Sequence, residues 1–131
     1  MKLAIIGSRG FDDFDFMEQE VKRQFTNLVG IDMIVSGGAR GADTLGELLA
    51  DKYSIPKKIF LADWNKHGKK AGYIRNVDII KNSDFVLAFW DGQSRGTKHA
   101  IELALRTFYK PFKVINYKDR KDYHPRSQRQ Q

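Results

Sequence analysis

Apolar residues along this chain fall into two alternating patterns. Short continuous runs occupy residues 2–6, 32–36, 58–61, 85–89 and 112–116. Between the runs, apolar residues recur at helical spacing. The first such set is Met17, Val21, Phe25 and Leu28, and the second is Leu45, Leu48, Leu49 and Tyr53. Ile74, Val77 and Ile80 form the third, and Ala100, Ile101, Ala104, Leu105 and Phe108 the fourth. Runs of the first kind predict buried strands, and the spaced sets predict amphipathic helices. The first helix is expected over roughly residues 14–28, capped by Asp12 or Asp13, and the third over about 69–81. Pro56 stops the chain just beyond the second helix. Strand and helix therefore alternate four times and a fifth strand closes the series. That order implies right-handed crossovers and a mostly parallel five-stranded sheet with helices on both faces. The expected fold is α/β, a single doubly wound Rossmann-like domain over residues 1–117. Residues 118–131 are polar and basic and are expected to be a disordered tail.

Composition narrows the class. A chain of 131 residues suits one domain with its own core. Cysteine is absent, so disulfides and thiolate metal sites are excluded. The three histidines have no metal-ligand spacing, and no metal is expected. The opening apolar run is too short for a signal-peptide core and nothing approaches a membrane span, so a cytoplasmic location without membrane partners is expected. The net charge is +7. Five basic and two acidic residues from Lys118 onward contribute +3 of it, leaving +4 on the body. A basic body attracts anionic partners: nucleotides, nucleic acid or phosphorylated protein.

The distribution of glycine says where such a partner binds. In a doubly wound sheet, ligands sit at the carboxyl ends of the strands, where strand order reverses. The loops expected at that edge read GSRGFDD, GGARGAD, ADWNKHGKKAGYIRN and WDGQSRGT. They hold nine of the eleven glycines, all but Gly30 and Gly46. They also hold Arg9, Arg40, Arg75 and Arg95, whose planar forks pair with phosphate. Turn formation alone would not load one edge so unequally. Glycine lets backbone approach a ligand, and a helix that starts at once presents free N–H groups and a positive dipole end.

Each loop has candidate residues. In GGARGAD, Ser36, Gly38 and Gly41 have the spacing of a dinucleotide fingerprint with serine in the first place, and Gly37 and Arg40 lie within it. Asp63 stands 22 residues beyond Gly41, where a ribose-binding acid is expected. Asp43 reads as a first-turn acid that stabilises its helix. In WDGQSRGT, Ser94, Arg95, Gly96 and Thr97 form a second phosphate loop, with Thr97 serving either phosphate or a helix cap. Asp91 suits ribose hydroxyls or a turn. Gly7, Ser8 and Arg9 offer a phosphate or base-edge contact. Arg75 and Asn76 follow the third loop. Trp64 and Trp90 lie at strand ends, where each either stacks on a base or packs in the core. His99 falls off the apolar stripe of its helix and is expected to be solvated. The P-loop pattern and the G-x-S-x-G elbow are both absent.

Taken in order, IIGSRGF, IVSGGARGAD, ADWNKHGKKAGYIRN and VLAFWDGQSRGT resemble the YspA/YpsA-related branch of the SLOG superfamily. The resemblance runs from about Leu3 to Ile115. It implies a Rossmann-like fold and a site for nucleotides or nucleotide-derived ligands. The superfamily also includes the Lonely Guy phosphoribohydrolases, whose P-G-G-x-G-T-x-x-E motif carries a glutamate used in catalysis. Aligned on Gly96 and Thr97, this chain has Ala100 at the glutamate position. Glu102 is two residues on, turned by about 200° around the helix. The resemblance therefore implies the phosphate cradle without that hydrolase's glutamate.

The expected function is binding or sensing of a nucleotide or nucleotide-derived ligand through these loops. The alternatives are a nucleotide-processing hydrolase, cleaving an N-glycosidic or phosphoester bond, and single-stranded nucleic acid binding. No cofactor beyond such a ligand is implied, and no catalytic residue is assigned. The wider superfamily often forms dimers, which makes a homo-oligomer a further expectation.

Overall fold

The computed structural model describes residues 1–119. Five strands form one sheet: β1 (Lys2–Gly7), β2 (Met33–Ser36), β3 (Lys57–Ile59), β4 (Phe85–Trp90) and β5 (Phe112–Asn116). Their order is β3-β2-β1-β4-β5 and every pairing is parallel. The helices are α1 (Phe14–Gln24), α2 (Ala42–Lys52), a short α3 (Trp64–His67), α4 (Ala71–Lys81) and α5 (Arg95–Glu102). The expected α/β, Rossmann-like architecture is present. From residue 120 on, the expected tail lies outside the described residues.

Alternation along β1 divides the core in two. Leu3 and Ile5 face α1 and α2, packing with Met17, Val21, Leu49, Leu87 and Phe89. Ala4 and Ile6 face α4 and α5, packing with Ile79, Ile80, Val86, Ala88 and Ala104. A fully buried Leu or Ile contributes about 2 kcal/mol of hydrophobic stabilisation. With both faces covered, β1 and β4 read as continuous apolar runs rather than alternating ones. The edge strand β3 is different: it exposes Lys57 and Lys58, charges that discourage edge pairing with another chain.

Element boundaries depart from the sequence pattern at identifiable points. The first helix ends at Gln24. A 3₁₀ turn, Thr26–Leu28, then carries the chain through left-handed backbone at Asn27, φ 54°. Of the two candidate caps it is Asp13 whose carboxylate accepts the Phe16 N–H, at 3.0 Å. The expected third helix is present as α4, starting two residues later than expected at Ala71, and the short α3 and the 3₁₀ turn Gly68–Lys70 before it were not expected. Past Glu102 the chain winds as a π-turn, Leu103–Thr107, with the Phe108 N–H donating to Leu103 O at 2.9 Å. The wider turn rotates the apolar stripe and leaves Leu105 exposed. Leu48 and Ile74 are also exposed, so the apolar stripes of α2 and α4 are narrower than spacing implied.

Two glycines allow close packing beneath the site. Gly41, at φ 86°, lies where a Cβ would stand 2.4 Å from Ser8 O and 2.5 Å from Arg9 O, so the β2–α2 loop rests directly on the β1–α1 loop. Gly46 lets α2 lie on β1, where a Cβ would approach Ile5 Cγ2 to 2.8 Å. Gly46→Val overpacks that contact, and a loss of about 3 kcal/mol is expected in urea unfolding.

Candidate functional site

The strand order reverses between β1 and β4, and a cleft of about 380 Å³ opens there at the carboxyl edge. The β1–α1 loop contributes Gly7, Arg9 and Gly10, and the β2–α2 segment contributes Ala39 and Asp43. Asp91, Ser94, Gly96 and Thr97 come from the end of β4 and the start of α5. Arg75, Asn76 and Ile79 reach in from α4, and Ile6 and Ala100 form apolar wall.

Ser8 holds the loops together. It is 1% exposed, with its N–H donating to Phe89 O at 2.9 Å. Its hydroxyl accepts the Asp91 N–H at 2.9 Å, and its carbonyl accepts from Ala42 N at 3.2 Å. Ser8 thus ties the end of β1 to the loop after β4 and the start of α2. Asp91 shapes its own turn by accepting from Gln93 N at 2.9 Å and Ser94 N at 2.8 Å. Partial burial acts to raise the Asp91 pKa, but these amide bonds and the Ser8 hydroxyl hold it below the ordinary value.

Asp43 is more than a first-turn acid. It is buried, and one carboxylate oxygen accepts from Gly37 N at 2.9 Å and Ala39 N at 3.4 Å. Burial pushes its pKa up to about 6, against the Gly37 and Ala39 bonds and the positive charge of Arg75. Beside it, Arg75 is half-buried and donates from Nη1 to Gly37 O at 2.9 Å. Its Nε is buried with no hydrogen-bond partner. Burial pulls the Arg75 pKa below its ordinary value, Asp43 opposes that shift, and the like charge of Arg9 adds to it. Asn76 Nδ2 donates to Gly96 O at 3.0 Å, linking α4 to the start of α5. The same nitrogen lies 3.1 Å from His99 Nδ1.

The remaining expected residues lie outside this cleft. Ser36 is buried, its hydroxyl donating to Glu47 at 2.5 Å. Gly37 sits behind Arg75 and Asp43, and Gly38 packs against Leu61. Arg40 and Gly41 line a second cleft. Asp63 is the N-cap of α3, accepting from Lys66 N at 3.0 Å. Trp64 is exposed in α3, and Arg95 is exposed at the first position of α5. Trp90 is half-buried, its indole N–H donating to Ser94 O at 3.0 Å.

Sequence reasoning missed Ile6, Ala39, Ile79 and the location of His99. His99 is half-buried against Tyr73, ring centroids 4.6 Å apart, rather than solvated, and burial lowers its pKa. The packing of α4 on α5 brings Tyr73 and His99 together. Among the described residues, no group of three or more His, Cys, Asp or Glu could hold a metal ion. Among those residues too, no helix is long and apolar enough to cross a membrane.

The raised Asp43 pKa has a measurable consequence. Its folded pKa lies above the unfolded one, so its stabilising contribution is full below about pH 4 and is lost as pH rises through about 6. In urea unfolding, Asp43→Asn should therefore gain about 3 kcal/mol relative to wild type between about pH 4 and pH 8. A difference independent of pH would mean that Asp43 titrates as it does in the unfolded chain.

The sequence agrees with this architecture in what it is similar to. The family model described as "YAcAr: YspA, cpYpsA-related SLOG family" matches residues 1–67, about half of the chain. The chain is also 34% identical over 129 residues to the Gene 61 protein of Mycobacterium phage D29, covering 91% of this chain and 98% of that protein. No solved structure matches. With the glycine loops at one sheet edge and the parallel sheet that carries them, the chain belongs to the YspA, cpYpsA-related SLOG family.

Proposed function

We propose that this protein binds a nucleotide or nucleotide-derived ligand in the cleft between β1 and β4, with a phosphate held between Arg9, Arg75 and the start of α5. Membership in a SLOG family supports a nucleotide-related ligand at the coarse level. The observation that carries the finer reading is Arg75. Its guanidinium is half-buried, lines the cleft, makes one bond to Gly37 O and leaves Nε without a partner. A desolvated cation facing another cation, Arg9, is costly until an anion arrives. A phosphate beside the guanidinium supplies that charge.

The rest of the lining suits the same ligand. Ser94 caps α5 without a side-chain bond to the helix, and its hydroxyl lies 3.3 Å from that of Thr97. One of the two hydroxyls keeps its proton for a phosphate oxygen, beside the first-turn amides of α5. Ile6, Ile79 and Ala100 give an apolar wall for a sugar or base face, and Asp91 is an acceptor for hydroxyls. An anion beside Asp43 would raise its pKa further from about 6 and favour the protonated, donating form.

A second reading, nucleotide processing, rests on one feature. Burial raises the Asp43 pKa to about 6 in the cleft where Asp91 is held below its ordinary value, and two carboxyls with separated pKa values are suited to acid–base work. Ala100 supplies no carboxylate where Lonely Guy enzymes have their glutamate.

Calorimetry against nucleoside mono- and diphosphates tests the first reading. Wild type should bind at least one of them, and Arg75→Ala should weaken that binding by about tenfold or more. Silence across the panel would reject it. Incubation of the bound nucleotide at high protein concentration, followed by mass spectrometry, separates the two readings. Intact ligand is expected from pure binding, and a free base or dephosphorylated product from processing.

A further inference from the structure

A second cleft, of about 490 Å³, adjoins the first. Both are lined by Arg9 and Gly10, so these two residues form the ridge where the clefts meet. Beyond the ridge, the second cleft is lined by Phe11, Asp12, Arg40, Gly41, Thr44 and Leu45. Its apolar surface comes from Leu45, which is half-buried and packs on the core that holds Phe11, itself 1% exposed and stacked on Phe89 with ring centroids 5.0 Å apart. Its rim is polar: Arg40, Asp12 and Thr44 are all exposed. An apolar surface with donors and an acceptor around it suits a flat heterocycle with polar edges.

The charges point the same way. Among the described residues, neither the Arg9 nor the Arg40 side chain makes a hydrogen bond or ion pair. Arg9 lines both clefts, and Arg40 lines the second and is exposed. An arginine in that position can stack on a base. A mononucleotide in the first cleft would leave the second cleft wet and Arg40 unused.

We propose that the two clefts form one trough, and that its ligand has two nucleoside units bridged by phosphate. The bridge crosses Arg9, one nucleoside occupies the β1–β4 cleft, and the second base lies between Leu45 and Arg40. This rests on the nucleotide reading of the first cleft. It adds a size and charge requirement that the first cleft alone does not impose.

Calorimetry with three probes for each common base is the test: the nucleoside monophosphate, the pyrophosphate-bridged dinucleotide and the phosphodiester-bridged dinucleotide. At least one bridged probe should bind about tenfold tighter than its own monophosphate. Comparing the two bridged probes identifies the linkage. Arg40→Ala and Arg40→Glu should remove that advantage and leave monophosphate affinity within about twofold, because Arg40 touches only the second cleft. Equal affinity for monophosphate and both bridged probes in wild type would overturn the two-unit ligand while leaving nucleotide binding intact. An advantage that survives both Arg40 variants would overturn the placement of the second base. Absence of binding by any probe, monophosphates included, would overturn both readings together.

Discussion

Ser8 fixes the geometry on which the candidate site depends. In this topology β1 must pair in parallel with β2 on one side and β4 on the other, so its carboxyl end is where the loops diverge. Divergence alone would give an open gap of indefinite width. Ser8 sets the width by bonding through its N–H to Phe89, through its hydroxyl to Asp91 and through its carbonyl to Ala42. Gly41 then permits the β2–α2 loop to lie against the Ser8 and Arg9 carbonyls. Three loops from distant parts of the sequence are thereby held at fixed separation around one small buried side chain. A ligand entering a cleft held in this way would be spared the entropic cost of ordering loops.

Charge inside that cleft works against the stability of the empty protein. Arg75 and Asp43 face each other across the Gly37 backbone, and burial shifts both pKa values toward the neutral form. Their mutual attraction opposes both shifts without cancelling either, and Arg9 makes matters worse for Arg75. A core built only for stability would place apolar groups there. Local rules are broken where the remaining pattern is consistent, which is the expected signature of a binding site. The apolar core beneath, on both sheet faces and larger on the α1–α2 side, supplies the stability that permits it.

The sequence made some of this legible and concealed the rest for physical reasons. Strand order and the two-faced core follow from period alone, because β1 and β4 are apolar throughout and the helices carry stripes. The crowded carboxyl edge was readable from glycine and arginine placement. What one-dimensional pattern could not resolve is which of the neighbouring loop residues faces which cleft. Arg40 and Asp43 lie three residues apart, yet Asp43 enters the β1–β4 cleft and Arg40 the second one. Arg75 belongs with Asp43 only because α4 packs behind the β2–α2 loop. The π-turn after Glu102 is similarly invisible, since it changes the register of an otherwise regular stripe. His99 and Asn76 meet through helix packing, and their separation of 23 residues carries no local signal.

The position of Ala100 gives the cleft its chemical character. It is 2% exposed, lines the cavity and packs in the core cluster of α4 and α5. A carboxylate there would lie beside Ile79 and Ile6, where desolvation would raise its pKa unless a cation or ligand compensated. Alanine leaves that surface apolar in a cleft that also holds Arg9, Arg75, Asp43 and Asp91. Charged and apolar groups interleave there, since Arg75, Asp43 and Ile79 all crowd the Gly37 backbone. Asp43 is already committed to the Gly37 and Ala39 amides, so a role in proton transfer would have to use its second carboxylate oxygen.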